Sequence, residues 1–146
     1  MYNWFECKVA FDKMGEEGLI KRTLESYLVD AMSFTDAEKR IIKEMKPFVS
    51  GEFLVTNIKR VKITDLFYNE NGDKWYRCKV NLIIPDEDKG IERKSAVTMM
   101  VQASGMLEAV ENLIAQMKSS LSDYEIAAVT ETLLMDVFTY EPADKD

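Results

Sequence analysis

From residue 4 to residue 12 the chain alternates, with Phe5, Cys7, Val9 and Phe11 on one side and Trp4, Glu6, Lys8 and Ala10 on the other. A period of two is the signature of a half-buried strand. Lys13-Met14-Gly15-Glu16-Glu17-Gly18 is a polar turn with two glycines, after which Leu19 to Met32 resumes extended character with Thr23, Tyr27, Val29 and Ala31 facing inward. The two strands make a hairpin. Apolar spacing then becomes helical through Phe34, Ala37, Ile41, Ile42 and Met45. Ser33 or Thr35 supplies the N-cap hydroxyl, and Pro47 stops the helix. Phe53 to Tyr68 reads as one long strand, with a bend or bulge expected around Asn57 to Val61.

The second half runs through the same series. Trp75 to Ile84 alternates with Tyr76, Cys78, Val80, Leu82 and Ile84 inward, and Pro85-Asp86-Glu87-Asp88-Lys89-Gly90 is its turn. Ile91 to Ala103 is the next strand. Gly105 to Lys118 is a helix with Leu107, Val110, Leu113, Ile114 and Met117 on its apolar side, and Tyr124 to Phe138 closes the series. Trp75-Tyr76-Arg77-Cys78-Lys79-Val80 answers Trp4-Phe5-Glu6-Cys7-Lys8-Val9 at a constant offset of 71 (75 − 4 = 71), and both tryptophans and both cysteines of the chain lie inside this echo. Asp65 answers Asp136 and Phe67 answers Phe138 at the same offset. The chain is therefore read as a tandem duplication of a β-β-α-β unit.

A crossover helix leaves the strands on either side of it parallel, so the third strand of each unit can pair antiparallel with the first, in local order 2-1-3. The expected fold is α+β and pseudo-two-fold: mostly antiparallel sheet(s) with two helices packed on them. Residues 1–140 form one domain, with repeats at 2–70 and 73–140 and a polar tail at 141–146. At 146 residues the repeats are expected to share a core, so that neither folds alone. Asn71-Gly72 joins them as a hairpin signal.

Charge narrows the function classes. Residues 1–70 hold 11 Lys+Arg against 12 Asp+Glu and residues 71–146 hold 8 against 14, so the halves carry −1 and −6. An acidic second half argues against a general nucleic-acid-binding surface and restricts any polyanion contact to a local patch in the first half. Histidine is absent, which removes the commonest general base and metal ligand. No apolar run approaches a membrane span, and Met1-Tyr2-Asn3-Trp4-Phe5-Glu6 has neither a basic leader nor a cleavage site, so a cytoplasmic chain with reduced, buried thiols is expected.

The Trp-aromatic-x-Cys-Lys-Val opening, the Tyr27-Leu28-Val29-Asp30-Ala31 segment with Ser33-Phe34-Thr35, the Met45-Lys46-Pro47-Phe48 turn and the closing Met135-Asp136-Val137-Phe138 carry a resemblance. Over nearly its whole length the chain resembles a domain-of-unknown-function family of Bacteroides-type gut bacteria and their phages and mobile elements. The resemblance implies a bacterial or phage setting and supplies no activity.

There is no phosphate loop, dinucleotide fingerprint or nucleophile elbow, so no catalytic residue, metal ligand or cofactor is assigned and the chain is read as a non-enzyme. Asp65 with Asp136, and the Asp86-Glu87-Asp88 turn, are carboxylate groups whose ordinary roles are turns and solvated tips. The candidate binding residues are the outward ones of the duplicated strand, Trp4, Lys8, Trp75, Arg77 and Lys79, with a basic patch at Lys59, Arg60 and Lys62. Leu24, Leu28, Met100, Leu133 and Met135 share that outward parity, which implies that something covers the face. Three functions compete. The first is an interaction module acting through the sheet face on a protein partner or a second copy. The second is a single-stranded nucleic-acid-binding accessory protein, in which aromatics stack bases and lysines neutralise phosphates. The third is an acidic phage inhibitor that mimics a polyanion.

Overall fold

The computed structural model describes residues 3–139, and the tail expected at 141–146 lies outside them. Strands β1 (Asn3–Met14) and β2 (Ile20–Ala31), helix α1 (Phe34–Met45) and strands β3 (Phe53–Val61) and β4 (Asp65–Phe67) are followed by the same series again. The second series is β5 (Lys74–Asp86), β6 (Ile91–Ala103), α2 (Met106–Met117), β7 (Asp123–Glu131) and β8 (Leu134–Phe138). The fold is α+β, as expected, with two mostly antiparallel four-stranded sheets ordered β3-β1-β2-β8 and β4-β6-β5-β7. The inner order 2-1-3 appears in both.

The outermost strand is where chain order and sheet order part. β8 ends the second repeat but lies parallel to β2 in the first sheet, pairing Tyr27 with Asp136 and Val29 with Phe138. β4 ends the first repeat but lies parallel to β6 in the second sheet, pairing Asp65 with Met99 and Phe67 with Val101. Two compact units result: among the described residues unit 1 is 3–62 with 134–139, and unit 2 is 63–133. The unit boundaries therefore do not coincide with the repeat boundaries.

This exchange depends on a break in what reads as one strand. Phe53 to Tyr68 divides into β3 and β4 at Lys62-Ile63-Thr64, and Tyr124 to Phe138 divides into β7 and β8 at Thr132-Leu133. The bulge expected near Asn57 is present: Lys8 pairs with Asn57 and Val9 with Val55, which leaves Thr56 as the extra residue. Lys79 pairs with Ala128 and Val80 with Ile126, a bulge at the matching place in the second repeat. A bulge bends its strand and sharpens its twist.

The two hairpin turns end on Gly18 (φ 78°) and Gly90 (φ 63°), a left-handed conformation that a Cβ opposes. Asn71-Gly72 does not close a hairpin, because β4 and β5 are separated by β6. Gly72 instead fits beneath a strand, where an added Cβ would lie 2.6 Å from the backbone of Ala103. Close approach is the other use of glycine, and the dipeptide alone does not distinguish the two.

Ser33 is the N-cap of α1 and accepts from the Asp36 amide at 3.1 Å, while the Asp36 carboxylate accepts from the Met32 amide at 2.9 Å. This reciprocal arrangement satisfies donors that the helix cannot. Gly105 offers α2 no side-chain cap, but Glu108, the counterpart of Asp36, accepts from the Ser104 amide at 3.2 Å and from its hydroxyl at 2.7 Å. Those bonds hold the Glu108 carboxyl below its ordinary pKa. Each helix meets its sheet through matching residues, Ala37, Ile41 and Met45 in α1 and Ala109, Leu113 and Met117 in α2. Small alanines let the first turns approach closely. Leu107 and Ile114, expected on the apolar side of α2, are exposed.

The helix-side core of unit 1 is built on Phe5, Cys7, Val9, Tyr27 and Val29, and that of unit 2 on Tyr76, Cys78, Val80, Met99 and Val101. Both cysteines are free and fully buried. Burial, with Glu6 adding to it, pushes the Cys7 thiol from 9.0 to about 12, and burial alone pushes Cys78 from 9.0 to about 11.

Two outcomes are expected from this architecture. Residues 63–133 hold every strand of the second sheet together with α2, so that fragment should fold cooperatively, whereas residues 73–139 lack β4 and should not. Circular dichroism melts of the two fragments decide it, and equal melts would remove the structural importance of the exchanged strand. The thiols give the second outcome. The unfolded chain ionises them near pH 9.0 while the folded chain keeps them protonated, so stability is constant below that pH and falls as pH rises toward about 12. Denaturant melts across that window should show the fall, and Cys7→Ala should reduce it. Native-state thiol labelling at neutral pH should be slow.

Candidate interaction surfaces

The face of each sheet opposite its helix carries the residues expected to make contacts, apart from Arg60, which pairs with the core residue Phe5 and so lies on the helix side. In unit 1 these include Trp4, Glu6, Lys8 and Ala10 on β1, facing Asp30, Leu28, Ser26 and Leu24 on β2. Lys8 is exposed and Trp4 half-buried. Lys59 and Arg60 lie on β3, an edge strand, and Lys62 follows it; all three are exposed. Lys59 is directly opposite Glu6, and the Arg60 guanidinium donates to the Asn3 side chain at 2.8 Å. Charge along an open edge also discourages pairing with another strand, which gives this patch a role in any functional reading.

In unit 2, Arg77 and Lys79 are exposed on the outer face of β5. Trp75 is not available for contact. It is only 2% exposed, its indole meets the Tyr68 ring edge-on at 5.4 Å, and its carbonyl accepts from the Thr132 amide and hydroxyl at 2.9 and 2.7 Å. Alternation assigns a residue to a face but does not say whether a flanking segment lies over it. The two tryptophans are therefore not an equivalent pair of contact residues. Leu28 and Met100, on the same parity, are likewise buried within the chain, while Leu24, Leu133 and Met135 are exposed. Asp65 and Asp136 belong to the short parallel strands of different units, and the Asp86-Glu87-Asp88 segment forms a hairpin tip. Among the described residues no three His, Cys, Asp or Glu side chains gather as metal ligands.

An apolar group on unit 1 is not evident from the alternation of single strands. Met14, Ile20, Leu24 and Leu54 all lie on the outer face and are 61–69% exposed. Met14 is opposite Ile20, and Ala10 lies between Leu24 and Leu54. Their only charged interruption is Asp12 with Arg22, 3.4 Å apart. The same places in unit 2 hold Pro85, Glu92, Ala96 and Glu125, so no large apolar side chain stands at any of them. Asn81, Ala96 and Glu125 occupy the row of Ala10, Leu24 and Leu54, with Asn81 donating to Glu125 at 3.1 Å and Lys94 paired with Glu125 at 2.8 Å. Comparing the repeats position by position, Leu54 against Glu125 and Ile20 against Glu92, is the signal that would have located this group from sequence.

The burial of the tryptophans separates their roles experimentally. Trp75→Ala should cost about 3–5 kcal/mol, as for a large core side chain, and Trp4→Ala distinctly less. Thermal melts of the two variants measure this, and equal losses would contradict the environments described.

No helix among the described residues is long and apolar enough to cross a membrane. No curated protein matches the chain. The model of a family described as a domain of unknown function, DUF4494, matches residues 3–140, and the chain belongs to that family.

Proposed function

We propose that this protein is a non-enzymatic binding module of a bacterium or its phage, acting in the cytoplasm, and that it engages a protein partner through the outer sheet face of unit 1. The observation that carries the reading is the contrast between the repeats. The fold accepts Glu92 and Glu125 in unit 2 where unit 1 exposes Ile20 and Leu54, so these apolar side chains are not a requirement of folding. Exposed apolar groups gathered on one face are the usual mark of an interaction site. Lys8 and Arg22 lie on the same face and border the group, which suits a partner whose rim is acidic.

The test replaces residues of unit 1 with their unit 2 counterparts. Ile20→Glu with Leu54→Glu should change folding stability by no more than about 0.5 kcal/mol per site, as for exposed positions. It should also weaken partner binding at least about tenfold, the scale of losing one good contact residue. Affinity capture with wild type and variant, followed by titration against the purified partner, measures this; light scattering identifies a second copy as the occupant. Undiminished binding by the double variant would exclude this face. Saturable, salt-dependent binding of a single-stranded oligonucleotide that is lost with Lys8, Lys59, Arg60 and Lys62 would favour the nucleic-acid reading instead. Salt-sensitive capture of a basic protein by unit 2 would favour polyanion mimicry.

A further inference from the structure

On the helix side of the sheet in unit 1 lies a hollow of about 390 Å³, within the range of roughly 300–1,000 Å³ common for small-ligand sites. Its apolar wall includes the rings of Phe11, Tyr27, Phe48 and Phe138, and three carboxylate residues, Asp12, Glu25 and Asp136, also line it. Tyr27 and Phe138 are stacked with centroids 5.6 Å apart. Glu25 is two residues from Tyr27 on the same face of β2, turned toward the core, and its side chain is only 11% exposed. The Tyr27 hydroxyl donates to Glu25 at 2.6 Å. Burial, that hydrogen bond and the negative charges of Glu25 and Asp136 all raise the Tyr27 pKa.

A carboxylate turned toward a core is costly unless something compensates it. Unit 2 shows that the fold does not need it. A hollow of about 350 Å³ occupies the same place there, with Asp65 and Phe67 as counterparts of Asp136 and Phe138. Val97 and Met99 stand where unit 1 has Glu25 and Tyr27, and Leu82 stands in place of Phe11. Glu25 and the rings of Phe11 and Tyr27 are thus added to a hollow that the fold builds without them. Lys13 shows which ligand charge this lining favours: its ammonium reaches Glu25 at 3.6 Å from a side chain that is 60% exposed and can yield its place.

We propose that the hollow in unit 1 binds an alkylammonium ion on a short apolar stem, supplied either as a free amine or as the lysine side chain of a peptide. The ring faces attract the cation through their quadrupoles. The carboxylates neutralise it, and the apolar floor at Met45 accepts the stem. This site opens on the other side of the sheet from Ile20, Leu24 and Leu54, with Asp12 and Met14 at the end of β1 reaching its rim, and the proposal does not rest on the partner face.

The test is an NMR titration of the full chain with choline, with the uncharged carbon isostere of choline, and with a capped lysine amide. At least one of the two cations should saturate and shift the signals of Tyr27, Phe138 and Met45, while the isostere should not. Preference for choline or for the lysine amide distinguishes a free amine from a peptide side chain. Glu25→Val with Tyr27→Met, which installs the residues of unit 2, should lower affinity at least about tenfold while leaving the fold intact. Should that pair fail to fold, Glu25→Gln keeps the shape and removes the charge, with the same loss expected. Leu54→Glu, on the other face, should bind the cation as wild type does. Equal binding of choline and its isostere, unchanged binding by the Glu25 variants, or no saturable binding of either cation would overturn the proposal.

Discussion

Neither sheet is completed by the repeat that begins it. β2 and β6 would each present an unpaired edge if the chain stopped after its own repeat, and each is covered by a short parallel strand from the end of the other repeat. The breaks at Lys62-Ile63-Thr64 and Thr132-Leu133 make this possible, because an unbroken strand of that length would have stayed in the sheet where it began. The hollow in unit 1 depends on the same exchange. Phe11, Glu25 and Tyr27 come from the first repeat, whereas Asp136 and Phe138 reach it on β8.

The recurrence of one series of elements in both halves gives the molecule an internal comparison that most folds lack. Features present in both units, among them the bulge, the left-handed glycine of the hairpin, the acid at the start of the helix and the buried thiol, belong to the fold. Features present in one unit need another reason. Glu25 beside Tyr27 and the exposed Ile20 and Leu54 fall in this second class, and each costs something that unit 2 avoids: desolvation of a carboxylate in one case, apolar surface left in water in the other.

Much of the fold was legible because periodicity reports it directly. The alternation of Phe5, Cys7, Val9 and Phe11, the helical spacing of Ala37, Ile41 and Met45 and the inner strand order all follow from local pattern and from crossover geometry. Destination was not legible. Nothing in Asp65-Leu66-Phe67 records that it pairs with Met99 to Val101 rather than continuing β3, since a three-residue strand has no periodicity to read. Of the candidate contact residues, Lys8, Lys59, Arg60, Lys62, Arg77 and Lys79 are exposed, while Trp75 is enclosed by Tyr68 and Thr132. The hollow escaped notice because its lining is assembled from segments more than a hundred residues apart, Phe11 and Phe138 among them.

The exchanged strands also impose an order on synthesis. Residues 63–133 leave the ribosome as an uninterrupted unit and can pair all four of their strands as soon as they emerge. Unit 1 is begun first and finished last, because β2 waits for Leu134–Phe138, about a hundred residues after it was made. Domains usually fold from the N-terminus during translation. Here the nascent first half must hold an open edge beside β2 until the second half has been completed, and for that interval it is the part of the chain most open to chaperone binding or to pairing with a neighbouring nascent chain.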